Sequence, residues 1–113
     1  MNEKIYSFMG LAKKAGKLLS GEFACEGAVK GKKVFLVIVA ENASDNTKKK
    51  FTDLCSYRGI EIRFFGEKEN IGKFIGKELR AVVAISEKGF ADRLKQLIDG
   101  TDLQNGGGQF GKA

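Results

Sequence analysis

Val34-Phe35-Leu36-Val37-Ile38-Val39-Ala40 is the most apolar run in the chain, and its reading decides the fold. It is rich in β-formers and lacks any polar alternation, which predicts a strand buried on both faces. Such a strand needs helices above and below it. The neighbouring sequence supplies them. Upstream, Ser20 or Gly21 opens a helix that turns Ala24, Ala28 and Val29 inward and closes at Gly31, with Glu22 well placed for the N-terminal dipole. Lys17 to Ser20 reads as a short strand. Before it, Ile5, Phe8, Met9 and Ala12 fall at helical spacing, and Gly16 ends that segment.

Downstream, Ser44 or Asn46 caps a third helix with an apolar stripe of Phe51, Leu54, Cys55 and Tyr57, and Gly59 stops it. Ile60 to Phe65 reads as a strand broken by Gly66. Glu67 to Phe74 is a short helix with Ile71, Phe74 and Ile75 turned inward. Arg80 to Ile85 is a second buried strand, and Ser86 caps a last helix whose core face is Phe90, Leu94, Leu97 and Ile98. The order α-β-α-β-α-β-α-β-α predicts an α/β fold, a three-layer α-β-α sandwich. A single domain is expected over residues 1–99. From Gly100 the periodicity stops, and residues 100–113, with Asn105-Gly-Gly-Gly-Gln-Phe-Gly-Lys-Ala113 at their end, are expected to form a flexible Gly-rich tail.

Composition narrows the function. Of 113 residues, 42% are hydrophobic and 30% charged, which places the chain among globular proteins. No apolar run reaches the ~18 residues of a bilayer span, so no membrane partner is expected. The first residues lack the layout of a secretory signal, and two cysteines make no disulfide framework, so the expected location is cytoplasmic. Histidine is absent, which excludes His-dependent triads and removes the commonest general base and metal ligand. The acids are scattered mostly singly, and Cys25 and Cys55 lie on expected apolar faces. Gly72-Lys73-Phe74-Ile75-Gly76-Lys77 superficially looks like a phosphate loop. It has three residues between its glycines where a Walker loop has four, and Glu78 stands where the Ser or Thr belongs. No enzyme activity, metal or small-molecule cofactor is expected, although Lys, Glu or Cys chemistry is not strictly excluded.

The net charge is +6, and residues 1–50 carry ten lysines against five acids while residues 51–113 carry ten basic residues against nine. A lopsided basic field suits a polyanion, most often nucleic acid. Surface lysines that serve solubility alone would give the same count. Two stretches stand out. Lys13-Lys14-Ala15-Gly16-Lys17-Leu18-Leu19-Ser20-Gly21-Glu22 sets lysines and glycines before a helix start, where unpaired N–H groups favour anions. Ile71-Gly72-Lys73-Phe74-Ile75-Gly76-Lys77-Glu78-Leu79-Arg80 sets basic residues around two glycines that allow close backbone approach. The cations are expected to converge beside these two turns. An ordinary strand-to-helix turn and a helix C-cap would read the same way.

In this order and spacing, these stretches resemble the kink-turn-binding ribosomal protein family of the L-seven-Ae and L-thirty-e type, most of all its small bacterial YlxQ-like branch. The matching text is Gly10-Leu11-Ala12-Lys13-Lys14-Ala15-Gly16-Lys17, Ser20-Gly21, Leu36 to Asn42, Asn46 to Lys50, Ile71-Gly72, Gly76-Lys77 and Arg80 to Ile85. It covers about residues 4–98. The resemblance implies a mixed four-stranded sheet between helices. It also implies non-catalytic binding of structured RNA, through a helix N-terminus bearing Gly-x-Asn-Glu and a following Lys, with a second loop over an extruded base.

The chain departs from that pattern. The motif glycine is Gly21, but the Asn and Glu positions hold Phe23 and Ala24, and the Lys position holds Gly27. Phe23 has two readings, a platform for an unpaired base or a core side chain. The expected function is a ribosome-associated, RNA-binding protein that recognises structured, kink-turn-like RNA. Gly21 and Glu22 would sit at the helix start. Lys17, Lys33, Lys73, Lys77 and Arg80 would contact phosphates, and Gly72 and Gly76 would let backbones approach. The expected partners are structured RNA, notably ribosomal RNA, and ribosomal proteins. A protein–protein adaptor that kept the fold and lost RNA reading is the alternative.

Overall fold

A computed structural model describes the backbone of residues 2–105 and the side chains of residues 3–100. Nine elements follow in the expected order: α1 (Asn2–Lys14), β1 (Leu18–Ser20), α2 (Glu22–Lys30), β2 (Leu36–Val39), α3 (Asp45–Arg58), β3 (Glu61–Phe64), α4 (Lys68–Phe74), β4 (Val82–Ile85) and α5 (Lys88–Asn105). The four strands form one mixed sheet in the order β1-β4-β2-β3. β4 runs antiparallel to both β1 and β2, and β2 runs parallel to β3. Two parallel neighbours need a crossover, and α3 supplies it.

Every residue of β2 and β4 is buried, as a strand covered on both faces requires. α2 and α3 pack together on one face, and α1 packs with α4 and α5 on the other. The core runs through the sheet and joins Ile5, Met9 and Ala12 of α1 to Phe51 and Cys55 of α3 and Ala91, Leu94 and Ile98 of α5. On the α1 side, Tyr6 stacks on Phe74 at 5.2 Å and meets Phe65 at 5.1 Å, while its hydroxyl accepts from the Glu67 amide at 3.0 Å. The sandwich and the mixed sheet are therefore as expected.

Four local expectations need correction. Tyr57 is 83% exposed, because it lies two residues, about 200°, round α3 from buried Cys55. Ala24 is exposed as well, turned by about 90° from the face that Cys25, Ala28 and Val29 bury. The cap of α5 is Glu87 rather than Ser86: its carboxylate accepts from the Phe90 amide at 2.8 Å, whereas the Ser86 amide is paired to the Lys17 carbonyl. The helix also continues to Asn105, past Gly100, since each added residue of an existing helix adds a hydrogen bond. Of the expected tail, residues 106–113 lie outside the described residues.

Cys25 and Cys55 are both fully buried. Desolvation, and for Cys25 also the neighbouring Cys55, pushes the thiols from an ordinary value near 9 up to about 12 and about 11. Two results follow. A thiol reagent at pH 8 should label neither cysteine faster than the protein opens. Stability should be insensitive to these thiols below pH 9 and fall as pH rises from about 9 toward 12, where the unfolded chain loses protons that the folded one retains. Alkaline denaturant melts, compared with a Cys25→Ala/Cys55→Ala variant, measure that decline.

Candidate nucleic-acid interface

The strand register decides which residues meet. Ser20 pairs with Val83, and the Gly21 amide donates to the Val82 carbonyl at 2.9 Å, so α2 begins beside the start of β4. β2 ends at the same place, where the Ala40 amide donates to the Ala81 carbonyl at 2.8 Å. β3 ends there too, since the Glu41 amide donates to the Gly66 carbonyl at 2.7 Å. One end of the sheet thus gathers the start of α2 and the loops before α3, α4 and β4.

Gly21 is the N-cap of α2, with φ of 97°, in the region where side chains are strained. A glycine cap has no side chain to bond the first amides, and among the described residues no side-chain hydrogen bond caps this helix. The first turn of α2 therefore keeps donors and a positive dipole end available for an anion. Arg80 stands next to it. Its Nε donates to the Ser20 hydroxyl at 3.2 Å, its Nη1 donates to the Leu79 carbonyl at 2.7 Å, and its amide donates to the Lys68 carbonyl at 3.1 Å. The guanidinium is held at the mouth of the helix and is only partly buried.

Glu22 is already engaged. Its carboxylate accepts from the Thr47 hydroxyl at 2.7 Å and lies 3.9 Å from Lys50. Thr47, the one buried polar residue of the described core, also accepts from the Ser44 hydroxyl that caps α3. This chain locks the starts of α2 and α3 together. Asn42 does the same for α4, accepting from the Lys68 amide at 2.9 Å and donating to Glu69 at 3.0 Å. Thr47 and Asn42 were not among the residues singled out for a role. The N-cap spacing of Ser44 and Thr47 was the available signal for the first.

The Gly72–Arg80 stretch forms a hook. α4 ends, the Lys77 amide donates back to the Gly72 carbonyl at 2.8 Å, and the chain returns beside the helix to Arg80. Lys73, Gly76 and Lys77 are exposed on this hook. Gly72 is buried, and the close approach it permits is intramolecular: a Cβ there would stand 2.7 Å from the Glu78 carbonyl carbon and 3.1 Å from the Leu79 Cα. The expectation that Gly72 admits a foreign backbone is corrected accordingly.

Lys17 and Lys33 are elsewhere. The Lys17 carbonyl accepts from Ser86, just past β4, and Phe35, two residues after Lys33, donates to Ile85. Both lysines flank the far end of β4, because β1 carries the chain about 10 Å along the sheet between Lys17 and Gly21. The cations therefore do not converge on one spot. Gly21, Glu22 and Arg80 share one end with the α4 hook, and Lys17 and Lys33 occupy the other. None of Lys17, Lys33, Lys73 and Lys77 is ion-paired among the described residues. Phe23, in the first turn of α2, is 93% exposed, which removes its core reading.

Comparison with known proteins agrees with this architecture. The model of the ribosomal protein L7Ae/L30e/S12e/Gadd45 family matches residues 3–95. A protein named RNA-binding protein YlxQ from Bacillus subtilis (strain 168) is 38% identical over 94 residues, 83% of this chain and 94% of its own. The Enterococcus faecium protein of the same name is 41% identical over 99 residues, 87% of this chain and 94% of its own. A solved structure from Bacillus halodurans C, of unknown function, superposes with a TM-score of 0.82 at 38% identity, covering 85% of this chain and 97% of that one. The Giardia lamblia 15.5kD RNA binding protein shares the fold, with a TM-score of 0.73 at 16% identity over 88% of each chain. No described helix is long and apolar enough to cross a membrane. The chain belongs to the ribosomal protein L7Ae/L30e/S12e/Gadd45 family, in its bacterial YlxQ-like branch.

Proposed function

We propose that the chain is a non-catalytic, cytoplasmic RNA-binding protein that recognises structured, kink-turn-like RNA and associates with the ribosome through ribosomal RNA and neighbouring ribosomal proteins. The observation that carries the reading is the uncapped N-terminus of α2 with Arg80 fixed beside it. The names of the two curated relatives support RNA as the ligand class. With Phe23, Ala24 and Gly27 in place of the family's Asn, Glu and Lys, the base-edge contacts are gone. Selectivity then rests on shape: a bent backbone offers phosphates to the α2 amides, Arg80, Lys73 and Lys77 at once, and a straight duplex does not.

A salt titration with a bent RNA carrying sheared G·A pairs and with a plain duplex tests this. The bent RNA should bind more tightly, with a slope of log K on log salt of about −2 to −3, from three phosphate-contacting side chains. A slope near zero would contradict the phosphate contacts, and equal affinities would remove shape recognition. A cellular partner that survives nuclease treatment, with neither RNA bound, would favour the protein adaptor.

A further inference from the structure

A groove of about 490 Å³ runs between α2 and the edge strand β1, lined by Leu19, Phe23, Ala24 and Gly27 and reaching Lys30 and Lys33. We propose that this groove holds a single-stranded RNA segment flanking the folded element, with one base stacked on Phe23 and the backbone led toward Lys32 and Lys33. The inference rests on the proposed function, because it extends the RNA from the start of α2 along the same helix.

Three observations carry it. First, Phe23 presents its ring almost wholly to solvent, at 93% exposure, beside Leu19 at 36%. A ring placed there adds nothing to the core and offers a stacking surface that tolerates any base. Second, the groove's floor is open. A Cβ built at Gly27 meets nothing within 4 Å, so the helix presents a flat, low surface next to the ring. Third, the charge is complementary to a phosphate chain. Glu26, the acid in the lining, is neutralised by Lys30 at 2.9 Å and Lys50 at 2.7 Å. Lys33 lines the groove, with Lys32 next to it in the chain, and neither forms an ion pair among the described residues. A standard protein interface buries about 800 Å² per partner, more than this short groove offers, whereas a base with its sugar suits it. The groove also explains why the basic residues divide between the two ends of the sheet. The folded element takes one set, and the strand leaving it takes the other.

The test uses the full chain and a bent RNA made with and without a four-nucleotide single-stranded extension, placed at either terminus in turn. The readout is the ratio of affinities for extended and unextended RNA. Wild type should give a ratio of about 10 for one of the two termini. Phe23→Ala should bring the ratio close to 1, and so should Gly27→Glu, which fills the groove and adds a negative charge. A 2-aminopurine in the extension should change its emission on binding wild type and not on binding Phe23→Ala. A wild-type ratio of 1 at both termini, with unextended RNA still bound, would overturn this inference and leave the proposed function standing. Binding of neither RNA would overturn both. A protein ligand lost in Phe23→Ala, together with a ratio of 1, would reassign the groove to that protein.

Discussion

Gly72→Val is expected to destabilise the protein by about 3 kcal/mol, because the added atoms have nowhere to go. The Cβ would overlap the Glu78 carbonyl oxygen and crowd the Leu79 Cα at 3.1 Å, and both are backbone. A flexible side chain could swing aside, but the returning strand of the hook cannot move without losing the Arg80-to-Lys68 hydrogen bond. For a domain of this size the loss corresponds to a melting temperature lower by roughly 10–13 °C. Gly72→Ala should act in the same direction with a smaller shift. Gly27→Ala is the matched control. That glycine is exposed in a helix with open space around it, so alanine should stabilise the protein by about 0.4–1 kcal/mol. Thermal unfolding of the three variants measures the contrast. A Gly72→Val protein that melts within a few degrees of wild type would show that the hook is not packed as described.

The second large effect is on affinity. Lys73→Gln/Lys77→Gln/Arg80→Gln should weaken binding to the bent RNA by about 100-fold near physiological salt and reduce the salt slope by about 2 to 3, as the loss of three phosphate contacts requires. Its melting temperature should change little, since Lys73 and Lys77 are exposed and unpaired among the described residues, and Arg80 loses only partly exposed bonds. Lys17→Gln/Lys33→Gln, at the far end of β4, should leave binding of a compact bent RNA nearly unchanged. If the far-end pair weakened the compact RNA as much as the triple variant did, the ligand would lie across the other end of the sheet.

The elements were legible in the sequence because each carries its own local signal. The run from Val34 to Ala40 holds the doubly covered strand at Leu36–Val39, with Phe35 just before it left exposed, and Ser44 and Gly59 bracket α3 by their backbone chemistry. Tyr57 and Ala24 were misplaced for a different reason. A stripe read from apolar residues alone has no sharp edge, and a quarter turn decides burial. Ser86 suits an N-cap by residue type, but the helix begins one residue later and the Glu87 carboxylate takes the Phe90 amide instead. The site was only half legible. Lys17 and Gly21 are neighbours in sequence and sit at opposite ends of β1, so proximity along the chain misled. Ser20 and Arg80 are sixty residues apart and touch, because β1 pairs with β4, and no local pattern states which strands pair. Gly72 was read as an opening for a ligand, since a glycine that admits a foreign backbone and one that admits its own look alike in sequence.

The pairing of the second element with the eighth also has a consequence for biosynthesis. A chain made from its N-terminus outward exposes Leu18–Ser20 early, and their neighbour in the sheet among the described residues, Val83 to Ile85, is made much later. Until then the turn at Gly21 lacks the Val82 carbonyl that anchors it and the guanidinium that flanks it. A product interrupted before residue 80 therefore carries most of the lysines but lacks the strand and the arginine that fix the start of α2.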